Sequence, residues 1–146
     1  MREILFRGKR LQGGNWVEGY FFKSDINKRE RESGKATLIF TPDCDTFITV
    51  PECHNSFMVV SDTVGQYTGL TDKNGKRIFE GDIAKVLQGK DKDIAYVGFE
   101  NGAFMLYPKT GNIYERTLWE YWYNDWDVEV IGNIHDNKLE DFDNGR

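Results

Sequence analysis

Residues 80–107 have the sequence EGDIAKVLQGKDKDIAYVGFENGAFMLY, and this stretch decides the fold class. Runs rich in β-branched and aromatic residues alternate with turn residues, which is the pattern of neighbouring antiparallel strands. Strands that recur roughly every 8–12 residues favour a sandwich or a barrel over a parallel sheet. The Glu-Gly-Asp entry and the two hairpins after it are typical of an SH3-like barrel. The predicted elements are the strands Ile83–Leu87, Ile94–Phe99 and Ala103–Tyr107, a charged loop at Gln88–Asp93 and a turn at Asn101-Gly102.

The residues before this stretch predict a second β region. Aromatics make up 14% of the 146 residues, and 15 Gly against 3 Pro favour strands and tight hairpins over helices. The strand candidates are Glu3–Arg7, Trp16–Phe22, Ala36–Thr41, Thr46–Val50 and Phe57–Val60, with a Gly13-Gly14 hairpin turn and an exposed loop at Asp25–Lys35. We therefore predict a mostly β protein in four parts: an N-terminal β region (1–62), a connecting motif (63–82), an SH3-like barrel with one short helix (83–135) and an acidic tail that frays (136–146).

Asp72-Lys73-Asn74-Gly75-Lys76 is the strongest turn signal in the connecting motif. Asn-Gly suits a type I′ turn, in which both central residues have positive φ, and an Asp at the start can accept hydrogen bonds from its own backbone. A calcium loop is the alternative. Calcium needs oxygen ligands at fixed offsets, and the fifth and twelfth positions counted from Asp72 are Lys76 and Ile83, which cannot bind it.

An aromatic segment at Glu115–Trp126 departs from the strand pattern. Trp119, Trp122, Tyr123 and Trp126 recur at i, i+3, i+4 and i+7, which predicts one face of a short helix. The face has three possible uses: packing on the protein's own core, an interface with another chain, or a stacking platform for single-stranded nucleic acid. Acidic neighbours disfavour the platform. Because a short helix turns only one side inward and Tyr121 lies off the face, we expect self-association, with Trp122 or Trp126 at the interface.

Charge and cysteine content exclude several classes. The formal net charge is −5. The one dense basic run of the chain, Lys28–Arg31, is diluted by acidic residues. We therefore expect little nucleic-acid binding, which needs clustered Lys and Arg. Two cysteines do not make a disulfide framework. No apolar run approaches the roughly 18 residues of a membrane helix. The sequence therefore predicts a cytoplasmic protein without a membrane partner.

Candidate catalytic and metal-binding residues do not form a coherent set. Cys44, Cys53 and His54 match no zinc spacing, and adjacent side chains on a strand point to opposite faces, which disfavours a Cys53-His54 pair. Glu80 and Asp82 are more typical of backbone capping than of acid–base catalysis. We expect no catalytic residues, no cofactor and no metal, and hence no enzyme.

Three parts of the chain resemble the YopX family of phage and prophage proteins. They are the opening (1–7 and 16–19), a long central stretch (63–83) and the close (129–137). The motif residues that carry the central likeness are Gly65, Gln66, Tyr67, Gly69, Asp72, Asn74, Gly75, Glu80, Gly81 and Asp82. The resemblance implies a β-dominated fold with a C-terminal SH3-like barrel, a phage or prophage origin in a bacterial host, and assembly into oligomers. It implies no particular activity.

Together these observations predict a homo-oligomeric structural or protein-interaction module of phage or prophage origin that binds a host or phage protein. A nucleic-acid-associated regulator that uses the SH3-like barrel is the alternative.

Overall fold

The computed structural model describes residues 2–24 and 46–142. The predicted loop at Asp25–Lys35 and the predicted strand at Ala36–Thr41 lie outside these residues. The chain divides into two compact units between Gln66 and Tyr67, inside the segment predicted to connect the two β regions. Each unit is an antiparallel β structure, which confirms the mostly β prediction.

The N-terminal unit is an antiparallel sheet with the first strand of the chain in its interior. Its strands are β1 (Phe6–Lys9), β2 (Trp16–Lys23), β3 (Thr46–Val50), β4 (Asn55–Met58) and the first two residues of β5 (Gly65–Thr71). The order is β4-β3-β2-β1-β5, with every neighbour antiparallel. The first strand begins later than predicted, at Phe6 rather than Glu3, because Phe6 is the first residue with a ladder partner, Gly19.

Two glycines let the N-terminal sheet pack closely. A Cβ on Gly8 would lie 3.0 Å from the side chains of Ile48 and Val59, both of which are buried. A Cβ on Gly19 would overlap the carbonyl oxygen of Thr49. The second contact is with backbone, which cannot rotate away, so only glycine fits at residue 19.

The C-terminal unit contains a five-stranded sheet and a two-stranded ribbon. The ribbon pairs β5 with β6 (Arg77–Phe79). The remaining elements are β7 (Asp82–Gln88), β8 (Asp91–Glu100), β9 (Ala103–Pro108), β10 (Arg116–Thr117), α1 (Leu118–Tyr123) and β11 (Asp127–Asn133). The sheet has the order β10-β9-β8-β7-β11, and α1 connects β10 to β11.

The SH3-like prediction concerns this five-stranded sheet. Four consecutive strands form a meander, and the last strand returns beside the first, with Val128 opposite Val86. Closure of this sheet into a barrel stays a prediction. The core beneath the sheet consists of Ile78, Ala84, Val86, Ala95, Val97, Leu106, Ile113, Leu118, Tyr121 and Val128.

Two turn predictions need correction. The charged loop at Gln88–Asp93 is shorter than predicted, because Gln88 pairs with Asp91 and leaves only Gly89 and Lys90 between the strands. The paired positive φ values of a type I′ turn occur at Asn101 (φ 50°) and Gly102 (φ 81°). In the Asp72–Lys76 turn only Gly75 has a positive φ, at 79°.

The acidic tail does not fray from residue 136 as predicted. The N–H of Asn137 donates to the Asn133 carbonyl at 2.9 Å, and the N–H of Lys138 donates to the Asp141 carboxylate at 2.8 Å. A Cβ on Gly132 would lie 3.0 Å from the Phe142 ring. The tail is therefore folded against β11 at least as far as Phe142.

Candidate interaction surface

Helix α1 begins at a capping box. The Thr117 hydroxyl oxygen accepts a hydrogen bond from the Glu120 N–H at 3.2 Å, and the Glu120 carboxylate accepts one from the Thr117 N–H at 3.1 Å. These bonds satisfy two backbone donors that a helix start leaves without partners. The hydrogen bonds from Thr117 lower the pKa of Glu120 below its usual value, and the nearby Arg116 guanidinium adds to this effect.

The helix ends after six residues because the chain reverses at Asp125. Asp125 has a φ of 56°, and its N–H donates to the Trp122 carbonyl at 3.2 Å. The next N–H, of Trp126, donates back to the Tyr121 carbonyl at 3.1 Å. Trp126 is therefore outside the helix and does not continue the helical face that the sequence predicted.

The buried side of α1 consists of Leu118 and Tyr121, which are 1% and 0% exposed. The Tyr121 hydroxyl donates to the Tyr114 carbonyl at 2.6 Å, and its ring makes an edge-to-face contact with half-buried Trp126 at 5.0 Å. Burial raises the pKa of Tyr121 to about 12. Tyr121 was predicted to lie off the helical face, and in the structure it is the largest fully buried side chain of the described residues.

The opposite side of α1 carries Trp119, Trp122 and Tyr123, which we call the aromatic surface. These side chains are 56%, 56% and 68% exposed, and the Trp119 and Tyr123 rings stack at 5.0 Å. Packing of this face on the protein's own core, one of the predicted uses, is therefore wrong for these three residues. An interface with another chain stays a prediction.

An apolar cavity of about 480 Å³ adjoins the Trp119 side of the helix. Its walls include Leu70, Phe104, Leu118 and Trp119, and Thr68 and Gly69 of the family motif region lie at its edge. Gly69 has a φ of 84°, and no heavy atom lies within 4 Å of where its Cβ would be. Glycine is needed there for its backbone conformation and not for close packing.

A second cavity of about 310 Å³ lies on the Trp122 side, and we call it the acidic cavity. Its lining includes the rings of Trp122 and Trp126 and three carboxylates, those of Asp72, Asp125 and Asp127. Leu70 and Leu118 line both cavities, so the two spaces share a wall.

Asp72 positions one wall of the acidic cavity. One carboxylate oxygen accepts from the N–H groups of Asn74 and Lys76, both at 2.9 Å, and the other accepts from the Val130 N–H at 3.0 Å. Burial opposes ionisation of the Asp72 carboxyl, but the hydrogen bonds from Val130, Lys76 and Asn74 outweigh it and hold the pKa below 3.8. The carboxylate is therefore used to attach the turn to β11.

Lys73 lies at the rim of the acidic cavity and is already paired. Its ammonium group lies 3.1 Å from the Glu129 carboxylate. That contact raises the pKa of Lys73, and the charges of Asp127 and Asp72 raise it further. The local potential at the rim is therefore negative.

The other family-motif residues have structural roles. Gln66 pairs with Phe6, next to the Gly65 pair with Arg7, and the Tyr67 ring packs on Phe79 at 5.5 Å. The Asp82 carboxylate accepts from the Phe79 N–H at 2.8 Å, which confirms its predicted capping role. The motif glycine at the β7 entry, Gly81, has a φ of 86°, and Glu80, Asn74 and Gly75 lie in the turns around β6.

Two of the three metal-ligand candidates, Cys53 and His54, lie among the described residues. Cys53 is exposed, and its neighbour His54 is exposed with a φ of 53°. Within residues 2–24 and 46–142, no three His, Cys, Asp or Glu side chains come together as metal ligands. Cys44 lies outside these residues, so the absence of a metal stays a prediction.

In the same part of the chain, no helix has the length and apolar character needed to cross a bilayer.

Comparison with known proteins identifies the family. A family model described as YopX protein matches residues 5–140, nearly the whole chain. The chain belongs to the YopX family. This confirms the resemblance carried by the central motif. Neither the curated proteins nor the solved structures gave a match.

Proposed function

We propose that this YopX protein is a homo-oligomeric structural or protein-interaction module of phage or prophage origin, which acts in the bacterial cytoplasm by binding a host or phage protein. The observation that carries the proposal is the aromatic surface: three large aromatic side chains on one side of α1 are more than half exposed. Trp and Tyr are the side chains that most often anchor protein interfaces. The protein acts by binding and not by catalysis.

The area of the aromatic surface supports an interface. A buried aromatic side chain covers about 150–250 Å², so three that are more than half exposed present roughly 300–400 Å² of ring surface. That is the size of the largest apolar patches on monomers, which are often functional. A stable interface takes about 800 Å² from each partner. The aromatic surface would supply nearly half of this, and the apolar cavity beside it would add to the area.

The strand order of the C-terminal unit supports an SH3-like barrel as the scaffold of this surface. The alternative function, a nucleic-acid-associated regulator, has less support. A stacking platform for bases needs Lys or Arg beside its aromatics. Beside Trp122 the chain places Asp125 and Asp127, both exposed, and their charge repels phosphate.

Sedimentation velocity over a range of micromolar concentrations tests the proposal. We expect a species heavier than the 17.0 kDa chain, which becomes lighter in the variant Trp119→Ala/Tyr123→Ala. Tyr20→Ala is the matched control, because Tyr20 is an aromatic residue 56% exposed in the N-terminal unit. A single 17.0 kDa species at all concentrations would refute self-association. Salt-sensitive binding to DNA or RNA in an anisotropy titration would favour the regulator.

A further inference from the structure

The acidic cavity combines features that suit a cationic side chain. Two tryptophan rings, those of Trp122 and Trp126, share its lining with the exposed carboxylates of Asp125 and Asp127. A guanidinium group binds well where it can lie against an indole face and donate hydrogen bonds to carboxylates. From this combination we infer that the acidic cavity binds an arginine side chain presented by a partner protein.

Some carboxylates in and beside the acidic cavity already have protein partners, and others can bind a ligand. Asp72 is 7% exposed and accepts three backbone hydrogen bonds, so it has little capacity for a ligand. The Glu129 carboxylate is paired with Lys73. Among residues 2–24 and 46–142, no hydrogen bond or ion pair engages the carboxylates of Asp125 and Asp127. These two groups are available to a cation.

The surroundings also favour a cation. The one basic group of the lining, the Lys73 ammonium, is paired with Glu129 and not with Asp125 or Asp127. The hydrogen bond to Glu129 is the main cause of the raised pKa of Lys73, but the charges of Asp127 and Asp72 also raise it, so these lining carboxylates exert a negative potential at the same rim. Removal of Asp125 or Asp127 would weaken that potential, and a partner cation would neutralise it.

The size and position of the cavity favour a protein side chain over a larger ligand. A volume of about 310 Å³ is at the lower end for sites that enclose small molecules. The neighbouring apolar cavity shares Leu70 and Leu118 of its lining with the acidic cavity. A partner segment with an arginine in the acidic cavity could place a nearby apolar side chain in the other. This inference rests on the proposed protein-interaction function and names the chemistry of the partner.

Titration of the intact protein with N-acetyl-arginine amide tests the inference, with the indole N–H resonances of Trp122 and Trp126 as the readout. We expect saturable shifts of both resonances, weaker binding of the lysine analogue, and no shift with the neutral citrulline analogue. Raising NaCl from about 0.05 M to about 0.5 M should weaken binding several-fold, because salt screens exposed charges. The absence of saturable shifts with the arginine probe would overturn the inference.

Two variants separate the contribution of charge from that of the fold. Asp125→Asn/Asp127→Asn should weaken binding by about tenfold, because both charged acceptors become neutral. Asp62→Asn is the control, because Asp62 is an exposed carboxylate of the N-terminal unit. Equal binding by both variants would overturn the role of the cavity carboxylates. Shifts with Ca²⁺ but not with the arginine probe would replace the inference with a metal site.

The same titration of the Trp119→Ala/Tyr123→Ala variant distinguishes this inference from the proposed oligomer. If the variant binds the arginine probe and the assembled wild type does not, a second copy of the chain covers the acidic cavity. That result would overturn the cavity as a site for a partner protein. If the wild type assembles but neither it nor the variant binds the arginine probe, the arginine site is refuted and self-association is not. A monomeric protein that binds the probe refutes self-association alone.

Discussion

Asp72→Ala should destabilise the C-terminal unit, because Asp72 joins the turn before β6 to β11. The substitution removes three hydrogen bonds to a carboxylate, from Asn74, Lys76 and Val130. A hydrogen bond to a charged group contributes about 1.5–3 kcal/mol. The N–H groups of Asn74 and Lys76 lie in an exposed turn, where water can replace the carboxylate, and we assign about 1 kcal/mol to each.

The Val130 N–H dominates the expected loss. It lies on the half-buried strand β11, so we assign about 2 kcal/mol to its lost partner. The substitution also removes the cost of burying the carboxylate, which offsets about 1 kcal/mol of the loss in the free energy of unfolding. The net loss is about 3 kcal/mol of the free energy of unfolding, a large share of the roughly 5–15 kcal/mol that a domain has.

Asp72→Asn tests the Val130 contact separately. Its amide oxygen can still accept from Asn74 and Lys76, but its NH₂ group would face the Val130 N–H, which places two donors together. We expect a loss of about 2 kcal/mol. Urea denaturation followed by circular dichroism gives the stability, and amide hydrogen exchange at Val130 locates the loss. Asp91→Ala is the control, because Asp91 is an exposed carboxylate of the same unit.

The pH dependence gives an independent check. Because folding lowers the pKa of Asp72, the carboxylate stabilises the protein fully above its unfolded value of 3.8, and this contribution is lost as the pH falls through the lower folded value. The difference between wild type and Asp72→Asn should therefore decrease in acid. A loss under about 0.5 kcal/mol for Asp72→Ala at neutral pH, within the range of ordinary surface substitutions, would refute the reasoning.

Two further predictions concern other parts of the fold. Gly19→Ala should cost the N-terminal unit about 3 kcal/mol or more, because its Cβ would overlap the Thr49 carbonyl oxygen; unchanged urea denaturation would contradict this. The Tyr107 phenol donates to the Glu100 carboxylate at 2.7 Å, which raises the pKa of Tyr107 to about 12. Glu100→Gln should move that pKa toward 10.0 in a ¹³C NMR titration, while Tyr121 stays at about 12; no movement would contradict the assignment.

The strands and turns were largely predictable because their signals are local. Thr46–Val50 is a strand with the predicted limits, since a run of β-branched and aromatic residues ends at Pro51. The Asn-Gly rule for type I′ turns holds at Asn101-Gly102 and fails at Asn74-Gly75. The difference is Asp72, whose carboxylate organises the second turn from its start.

The predicted helical face failed because it assumed a helix longer than the one that forms. The i, i+3, i+4, i+7 pattern needs eight residues, and α1 has six. The buried side of α1 consists of Leu118 and Tyr121, which are three residues apart. A pattern based on hydrophobicity treats Trp119 and Tyr121 alike, although Trp119 is exposed and Tyr121 is buried. Only the neighbours in the fold distinguish them.

The acidic cavity could not be predicted from the sequence, because its walls come together from distant segments. The lining joins residues 70–73 to residues 122–128, and the Asp72 carboxylate is bonded to Val130, 58 residues away in the chain. The prediction that Asp72 accepts from its own backbone is confirmed for Asn74 and Lys76, but no sequence pattern indicated the bond to Val130. The sequence shows the acidic residues beside Trp122 and Trp126 but not the cavity that they line.

The family motif and the interaction surface have separable tasks. Asp72 makes its contacts with backbone and supports the cavity wall, so its loss should lower stability first and binding as a consequence. Trp122 is 56% exposed and lies outside the core, so Trp122→Ala should leave stability within about 0.5 kcal/mol. Loss of assembly or arginine binding without loss of stability is therefore the signature of a residue that contacts a partner. The motif would then maintain the scaffold, while the segment at residues 119–127 would supply the chemistry that a partner recognises.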